Sequence, residues 1–169
     1  IWSQKSALDP RIASSIVEKA VTAKRGTIYD RNHTVIAQQT QAYTIVAYLD
    51  KGVVDVNGNP NYVKDISSTA KKLKSVLGDE VNEKALVKIM KSAKMAGKSQ
   101  TELGSGTKRI KKSLMKEIKK LKIPGIGFID AVSRYYPATP YSSNLIGFAA
   151  YDEDKQSIGG KLGLELSLN

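Results

Sequence analysis

The chain contains no cysteine and a single histidine among its 169 residues. The lack of cysteine excludes a disulfide framework and a cysteine-based zinc site, and one histidine is too few for a histidine zinc site. No apolar run approaches the roughly 18 residues that a membrane-spanning helix needs. We therefore expect neither a metal nor a cofactor.

Positive charge, by contrast, is abundant and is concentrated in one segment. The formal net charge is +11, and residues 61–122 hold 17 Lys and Arg against 6 Asp and Glu, whereas the rest of the chain holds ten of each kind. Such a field attracts anionic partners, which here means nucleic acid, anionic lipid or an anionic wall polymer. The alternative is a set of solvated, lysine-rich helix faces without a partner.

The residue patterns change from strand to helix and back again. Ala42–Leu49 alternates its side chains as a strand does, residues 127–136 do so again, and the basic segment between them has helical periodicity. This order predicts an α+β fold. We expect residues 1–56 and 123–169 to form a β-rich base, with residues 57–122 inserted as a basic helical head.

Three amphipathic helices are predicted within the head, from apolar residues that recur every three or four positions. Gly78 and Gly97 are expected to end the first and second helices. Asn82 is expected to cap the second helix and Thr107 the third. The Ser- and Gly-rich residues 97–106 are expected to form a loop.

The stretch Arg25–Ala37, RGTIYDRNHTVIA, predicts a β-hairpin in which residues 27–29 pair with residues 34–36. Its turn needs a residue with positive φ, a region that Asn tolerates better than most residues. Glycine is usually preferred where His33 stands, and a non-glycine residue there is expected to carry a strain of about 1 kcal/mol. Asp30 is expected to accept hydrogen bonds from the turn amides.

The two arginines of this hairpin have no use in a turn. The planar guanidinium of arginine is suited to bidentate pairing with a carboxylate. We therefore expect Arg25 and Arg31 to brace the hairpin against another segment of the chain.

Three stretches in a fixed order resemble the three signatures of one family. The first is Arg25-Gly26-x-Ile28-x-Asp30-Arg31-Asn32, the second is Arg134-x-Tyr136-Pro137 followed by Leu145-Ile146-Gly147, and the third is Gly160-x-x-Gly163-Leu164-Glu165. Together they resemble the N-terminal, non-catalytic pedestal (dimerisation) domain of the class B penicillin-binding proteins. His33 and Ile36 stand where that family usually has glycine and leucine.

The resemblance implies an elongated pedestal and a scaffolding function. Its parent would be a membrane-anchored D,D-transpeptidase of peptidoglycan synthesis, acting in cell shape or cell division. A single-pass anchor would precede this chain, which would lie on the outer face of the bacterial membrane. The implied partners are the parent's own transpeptidase domain and a membrane-embedded glycan polymerase of the shape, elongation, division and sporulation family, and a homodimer is left open.

In that family the signatures lie together at the base of the pedestal. This packing would give Arg25, Arg31 and Arg134 carboxylate partners, for which Asp30 and Glu165 are the candidates. We predict that at least one of the arginines forms a partly buried ion pair with Glu165.

Catalysis is not expected of this chain. Full-length members of the family combine Ser-x-x-Lys, Ser-x-Asn and Lys-Thr-Gly motifs around a serine nucleophile. Lys-Thr-Gly is absent here, and the Ser-x-x-Lys spacing falls within the Ser- and Lys-rich insert, at Ser68/Lys71, Ser105/Lys108 and Ser113/Lys116. We expect no catalytic residue among them.

The basic segment offers an alternative function, a binding module for an anionic polymer or a membrane surface through residues 61–122. Nucleic acid is not expected, because the most basic stretch, residues 108–122, has no aromatic residue for base stacking. The candidate contact residues are Lys108, Arg109, Lys111, Lys112, Lys119 and Lys120.

Overall fold

One long strand organises the molecule. A computed structural model describes residues 24–55, 57–137, 146–152 and 157–168. Strand β2 (Val35–Tyr48) pairs in antiparallel fashion with three others, which are β1 (Ile28–Tyr29), β3 (Gln100–Glu102) and β4 (Ile126–Tyr135). Strands β5 (Ala149–Asp152) and β6 (Ser157–Gly160) form a separate antiparallel pair.

Helices fill the sequence between β2 and β4. Helix α1 spans Ile66–Leu77, α2 spans Glu83–Met95 and α3 spans Lys112–Lys120, while the short α4 spans Gly163–Ser167 after β6. The fold is therefore mixed α+β, as predicted. Within the described residues, no helix combines the length and the hydropathy needed to cross a bilayer.

The first helix ends, and the second begins and ends, where the sequence predicts. Asp65 Oδ1 accepts hydrogen bonds from two first-turn amides of α1, and Asn82 Oδ1 accepts one from the third residue after it in α2. Such caps satisfy N–H groups that have no partner within the helix. Gly78, at φ 59°, is the C-terminal cap of α1, and Gly97, at φ 68°, follows the end of α2.

The start of the third helix differs from the prediction. Helix α3 begins at Lys112 after Lys111, not at Thr107. Thr107 is fully buried in a short 3₁₀ turn, and its hydroxyl donates to the carbonyl of Gly104 at 2.8 Å. The expected loop at residues 97–106 also contains β3, which pairs with the end of β2.

The predicted hairpin is present at residues 28–37. Ile28 pairs with Ala37 and Tyr29 with Val35. The backbone amide of His33 donates to the carbonyl of Asp30 at 3.1 Å, and His33 has φ 59°. His33 thus has the left-handed backbone conformation for which glycine is usually preferred.

The hydrophobic core joins β2 to the helices. Alternate residues of β2 point into it, and they meet the buried faces of α1, α2 and α3. Its central members are Tyr43, Ile45, Ala47, Leu49, Ala70, Leu73, Leu86, Met90 and Ile118. The division into a base (1–56 and 123–169) and a head (57–122) remains a prediction, and the core contains residues from both parts.

The backbone just before β4 lies in close contact with the backbone at Val63, at the edge of this core. Gly125 has φ 78°, and a Cβ at this position would lie 2.1 Å from the backbone nitrogen of Val63. The amide of Gly125 also donates to Asn61 Oδ1 at 2.8 Å. Only glycine satisfies both the backbone conformation and the lack of space.

We expect Gly125→Ala to lower the free energy of unfolding by about 2–4 kcal/mol, because it adds overpacking to the strain of a left-handed residue. Gly97→Ala is the matched control, since Gly97 has φ 68° but nothing within 4 Å of its added Cβ. It should lose about 1 kcal/mol from backbone strain alone. Denaturant unfolding compares the two variants, and equal losses would contradict the packing argument.

Candidate functional site

Strand register brings two distant arginines to one place on the sheet. Gln39 of β2 lies directly opposite Arg134 of β4, so their side chains share a face. Gln39 Oε1 accepts a hydrogen bond from the backbone nitrogen of Arg25 at 2.8 Å. Arg134 Nη1 donates to the carbonyl of Gly26 at 2.7 Å. The chain before β1 is thus held against the end of β4.

The carboxylate of Glu165 links the two arginines. Arg25 Nε donates to Oε2 at 2.9 Å, and Arg134 Nε donates to Oε1 at 2.8 Å. Arg25 Nη2 also donates to the backbone carbonyl of Glu165. The side chain of Glu165 is 0% exposed, that of Arg134 2% and that of Arg25 13%. The predicted ion pair with Glu165 is therefore present, and two arginines take part in it.

Tyr136 completes this group, which we call the carboxylate clamp (Arg25, Arg134, Tyr136 and Glu165). Its hydroxyl donates to Glu165 Oε1 at 3.3 Å and accepts from the backbone nitrogen of Ala149 at 2.9 Å. Because Ala149 begins β5, this one hydroxyl ties the second β pair to the clamp. Burial raises the pKa of Tyr136, the Ala149 hydrogen bond opposes that rise, and the negative charge of Glu165 adds to it.

Two glycines let the backbone of the α4 region approach the clamp. A Cβ on Gly160 would lie 1.8 Å from the carbonyl oxygen of Glu165. A Cβ on Gly147 would lie 1.8 Å from the carbonyl oxygen of Leu162. A side chain at either position would push this backbone away, so both glycines help to place Glu165.

The rest of the first signature shapes the hairpin turn. Asp30 Oδ1 accepts from the backbone nitrogens of Asn32 and Thr34, at 2.7 and 2.8 Å. Asp30 therefore serves the turn and does not pair with Arg25. Arg31 is exposed and forms no ion pair with any described residue, so its expected carboxylate partner is not found there.

Three other signature residues surround the clamp, in addition to Gly147. Gly26 supplies the carbonyl that Arg134 binds, Gly163 opens α4 at φ 63°, and the exposed Pro137 follows Tyr136. Residues 143–145 of the second signature lie outside the described residues.

The six candidate residues of the basic surface divide into two groups. Lys108 Nζ lies 3.1 Å from Glu102 Oε2, and the Arg109 guanidinium stacks 4.2 Å from the centroid of the Tyr151 ring. Arg109 therefore connects the helical insert to β5, and both residues have partners within the chain. The remaining four are exposed, and none forms an ion pair with a described residue: Lys111, Lys112, Lys119 and Lys120.

The serines of the three Ser-x-x-Lys spacings do not converge. Ser68 lies on α1, Ser105 in a 3₁₀ turn and Ser113 on α3, and all three are exposed. A serine nucleophile needs a base and a shaped cleft around it. Among the described residues, no cluster of three or more His, Asp or Glu side chains is placed to hold a metal.

Residues outside the signatures were missed at the sequence level. Gln39 and Ala149 act through the strand register and a backbone amide, and neither leaves a recognisable residue pattern. Tyr151 lacks a sequence signal as the partner of Arg109, because the two residues lie 42 positions apart.

We expect Glu165→Gln to lower the free energy of unfolding by about 3–5 kcal/mol, because two largely buried guanidinium groups lose their counter-charge. Glu102→Gln is the matched control, since it makes the same substitution at the half-exposed partner of Lys108. It should change stability by less than about 1 kcal/mol. Denaturant unfolding measures both variants, and a loss for Glu165→Gln no larger than the control's would refute the role given to the clamp.

The raised pKa of Tyr136 predicts a pH dependence. The folded state favours the neutral phenol, so its stabilising contribution is present below the ordinary pKa of 10.0 and is lost as the pH rises through the folded value. An ultraviolet titration of the eight tyrosines should contain a late component that Tyr136→Phe removes. The control variant Tyr29→Phe, at an exposed tyrosine, should retain that component. Loss of the late component in Tyr29→Phe rather than in Tyr136→Phe would refute the assignment.

Comparisons with known proteins agree with this arrangement. Residues 20–169 match the family described as "Penicillin-binding Protein dimerisation domain". Stage V sporulation protein D of Bacillus subtilis (strain 168) is 29% identical over 142 residues, which is 84% of this chain and 19% of that protein. The crystal structure of penicillin-binding protein 2X from Streptococcus thermophilus is similar at a TM-score of 0.60 and 30% identity, over 87% of this chain and 22% of that one.

A third similarity concerns the fold alone. The structure of a complex between penicillin-binding protein 2 and MreC from Helicobacter pylori contains a chain that matches at a TM-score of 0.51 and 18% identity, over 84% of this chain and 27% of that one. This chain thus spans about a fifth to a quarter of the length of these relatives. Because the family match covers nearly all of its residues, the chain belongs to the penicillin-binding protein dimerisation domains, the pedestal domains of the class B penicillin-binding proteins.

Proposed function

We propose that this chain is the non-catalytic pedestal of a membrane-anchored D,D-transpeptidase of peptidoglycan synthesis. In this role it holds a catalytic domain, carried elsewhere in a longer protein, in a fixed orientation away from the membrane. The lengths of the relatives support the proposal, since this chain covers only 19% of one and 22% of another. The outward anchor and the role in cell shape or division belong to the same proposal.

The observation that carries the proposal is an apolar surface next to the carboxylate clamp. Glu165 faces inward and is fully buried, while Leu166 is 53% and Leu168 is 65% exposed. Leu162, Leu164 and Phe148 are exposed as well. An apolar patch around a short helix that is held by a buried ion pair is suited to contact with another folded unit. We assign that contact to the catalytic domain of the parent.

The distribution of serine and lysine supports a non-enzymatic role for this part. The three Ser–Lys pairs lie on three different elements, with the serines exposed to solvent. Acyl transfer needs a nucleophile, a base and oxyanion donors converging on one point. The clamp is rich in charge, but its side chains already form ion pairs and hydrogen bonds with one another.

Contacts with partner proteins are part of the proposal. The structural neighbour from Helicobacter pylori was solved in complex with MreC, and at 18% identity it supports the fold rather than a shared partner. We propose that this chain likewise contacts other proteins of wall synthesis, among them a membrane-embedded glycan polymerase. Self-association is a further proposal, in keeping with the family's description as a dimerisation domain.

A second candidate function is attraction to an anionic wall polymer or to anionic lipid. Lys111, Lys112, Lys119 and Lys120 support it, because all four are exposed and none forms an ion pair with a described residue. Retention on an anionic polymer that weakens with salt would follow from such a surface.

The pedestal proposal predicts two results with a fluorescent penicillin. This chain alone should remain unlabelled, whereas the full-length product of its gene should be labelled covalently. In the full-length protein, Leu166→Asp should leave the labelling rate within about twofold but allow the two parts to unfold in separate calorimetric transitions.

Met95→Asp is the control for the loss of the leucine, because Met95 is an apolar residue on α2 that is 88% exposed. The full-length protein with Met95→Asp should keep a single calorimetric transition. Stoichiometric labelling of this chain would refute the non-catalytic role. Identical melting of the two variants would refute the contact assigned to α4.

A further inference from the structure

A cleft lies between the end of α3 and the start of β4. Its volume is about 360 Å³, and its lining includes the buried side chains of Ile118 and Ile123. Two aromatic rings, Tyr48 and Phe128, contribute to its lining. A volume of this size falls within the range of small-ligand sites.

The Tyr48 ring is held against the strand backbone, on the face of the sheet opposite to that of Phe128. Tyr48, at the end of β2, lies across Gly127 of β4, and a Cβ on Gly127 would come within 2.6 Å of the tyrosine ring. Glycine at this position therefore allows the ring to lie against the sheet. Phe128 follows on the same strand, and Lys119 Nζ lies 5.6 Å from the centroid of its ring. The weakly negative face of an aromatic ring suits the C–H groups of a sugar.

Positive charge in the cleft has no acidic counterpart. Lys119 and Lys122 line it together with the amide side chain of Asn61, and no acidic residue is among its described lining residues. Neither lysine forms an ion pair with a described residue. Both belong to the segment that carries the net charge of the chain, so an anion entering the cleft meets a favourable field.

The backbone around Lys122 is fixed in an uncommon conformation. Lys122 has φ 45°, a left-handed value that disfavours a lysine. Its neighbour Gly125 packs against the backbone of Val63 and donates to Asn61 Oδ1 at 2.8 Å. The two contacts at Gly125 hold the turn that presents Lys122, and they leave the amide nitrogen of Asn61 as a donor. A left-handed residue directly after the last turn of a helix is a common helix end, and here it sets the direction in which the chain leaves α3.

We propose that this cleft binds a saccharide unit that carries a carboxylate or a phosphate, as part of an anionic wall polymer. The sugar ring lies against the Tyr48 ring, the anionic group binds Lys119 and Lys122, and the Asn61 amide bonds a hydroxyl group. The inference rests on the second candidate function and is independent of the pedestal role.

Three monosaccharides of similar size test the proposal by NMR titration of this chain. N-acetylmuramic acid carries a carboxylate, N-acetylglucosamine 6-phosphate carries a phosphate, and N-acetylglucosamine is neutral. At least one of the two anionic sugars should bind ten or more times more tightly than the neutral one, with shifts concentrated at Lys119, Lys122 and Gly127. The tighter of the two identifies the anion. Equal binding of all three, or shifts spread over the surface, would overturn the proposal.

Two double variants with the same loss of charge separate the cleft from the general field. Lys119→Gln with Lys122→Gln should weaken binding of the preferred anionic sugar at least tenfold. Lys111→Gln with Lys112→Gln, which lie outside the cleft lining, should change it less than twofold. Equal weakening of sugar binding by the two double variants would overturn the assignment of binding to the cleft. Equal salt-sensitive retention of both double variants on an anionic polymer would also overturn the cleft proposal. That result would still support the second candidate function.

Discussion

The buried carboxylate of Glu165 is the constraint on which this end of the structure depends. A charge removed from water must be paired and hydrogen-bonded, or its burial costs several kcal/mol. Its two guanidinium partners lie 140 and 31 residues away along the chain. The N-terminal hairpin, the end of β4 and helix α4 can therefore meet in only one arrangement, because any other leaves a charge unpaired.

The sheet and the clamp specify each other. Gln39 and Arg134 share a face because β2 and β4 pair in one register, and a slip of one residue would turn Arg134 to the opposite face. The same strand carries Tyr43, Ile45 and Ala47 into the helical core at its other end. Since β2 has 14 residues, it extends about 45 Å at the usual rise. One strand thus fixes both the ion pairs and the helices.

Features that depend on neighbouring residues could be predicted from the sequence. The contacts between distant segments could be predicted only in part. Asn82 caps α2, Gly78 ends α1 and His33 adopts positive φ, because each depends on neighbouring residues alone. The pairing of Glu165 was predictable only through the family resemblance, which implies that the three signatures lie together; Arg31, the arginine within the turn, forms no ion pair with a described residue. Thr107 does not cap α3, because it is buried in a 3₁₀ turn and the helix begins five residues later. Strand β3 and the cleft at Tyr48 depend on segments that meet only in the folded chain.

The two ends of β2 are held by different kinds of interaction, and this difference matters for a scaffold. The helical end is held by apolar packing, which tolerates exchange of similar side chains. The clamp end is held by charge and by glycine contacts at Gly147 and Gly160, which tolerate almost no displacement. A buried ion pair adds little net stability over apolar packing, but it discriminates sharply against other geometries. The clamp is therefore suited to fixing the orientation of α4 and its exposed leucines, whereas the core near α1 and α2 supplies most of the stability.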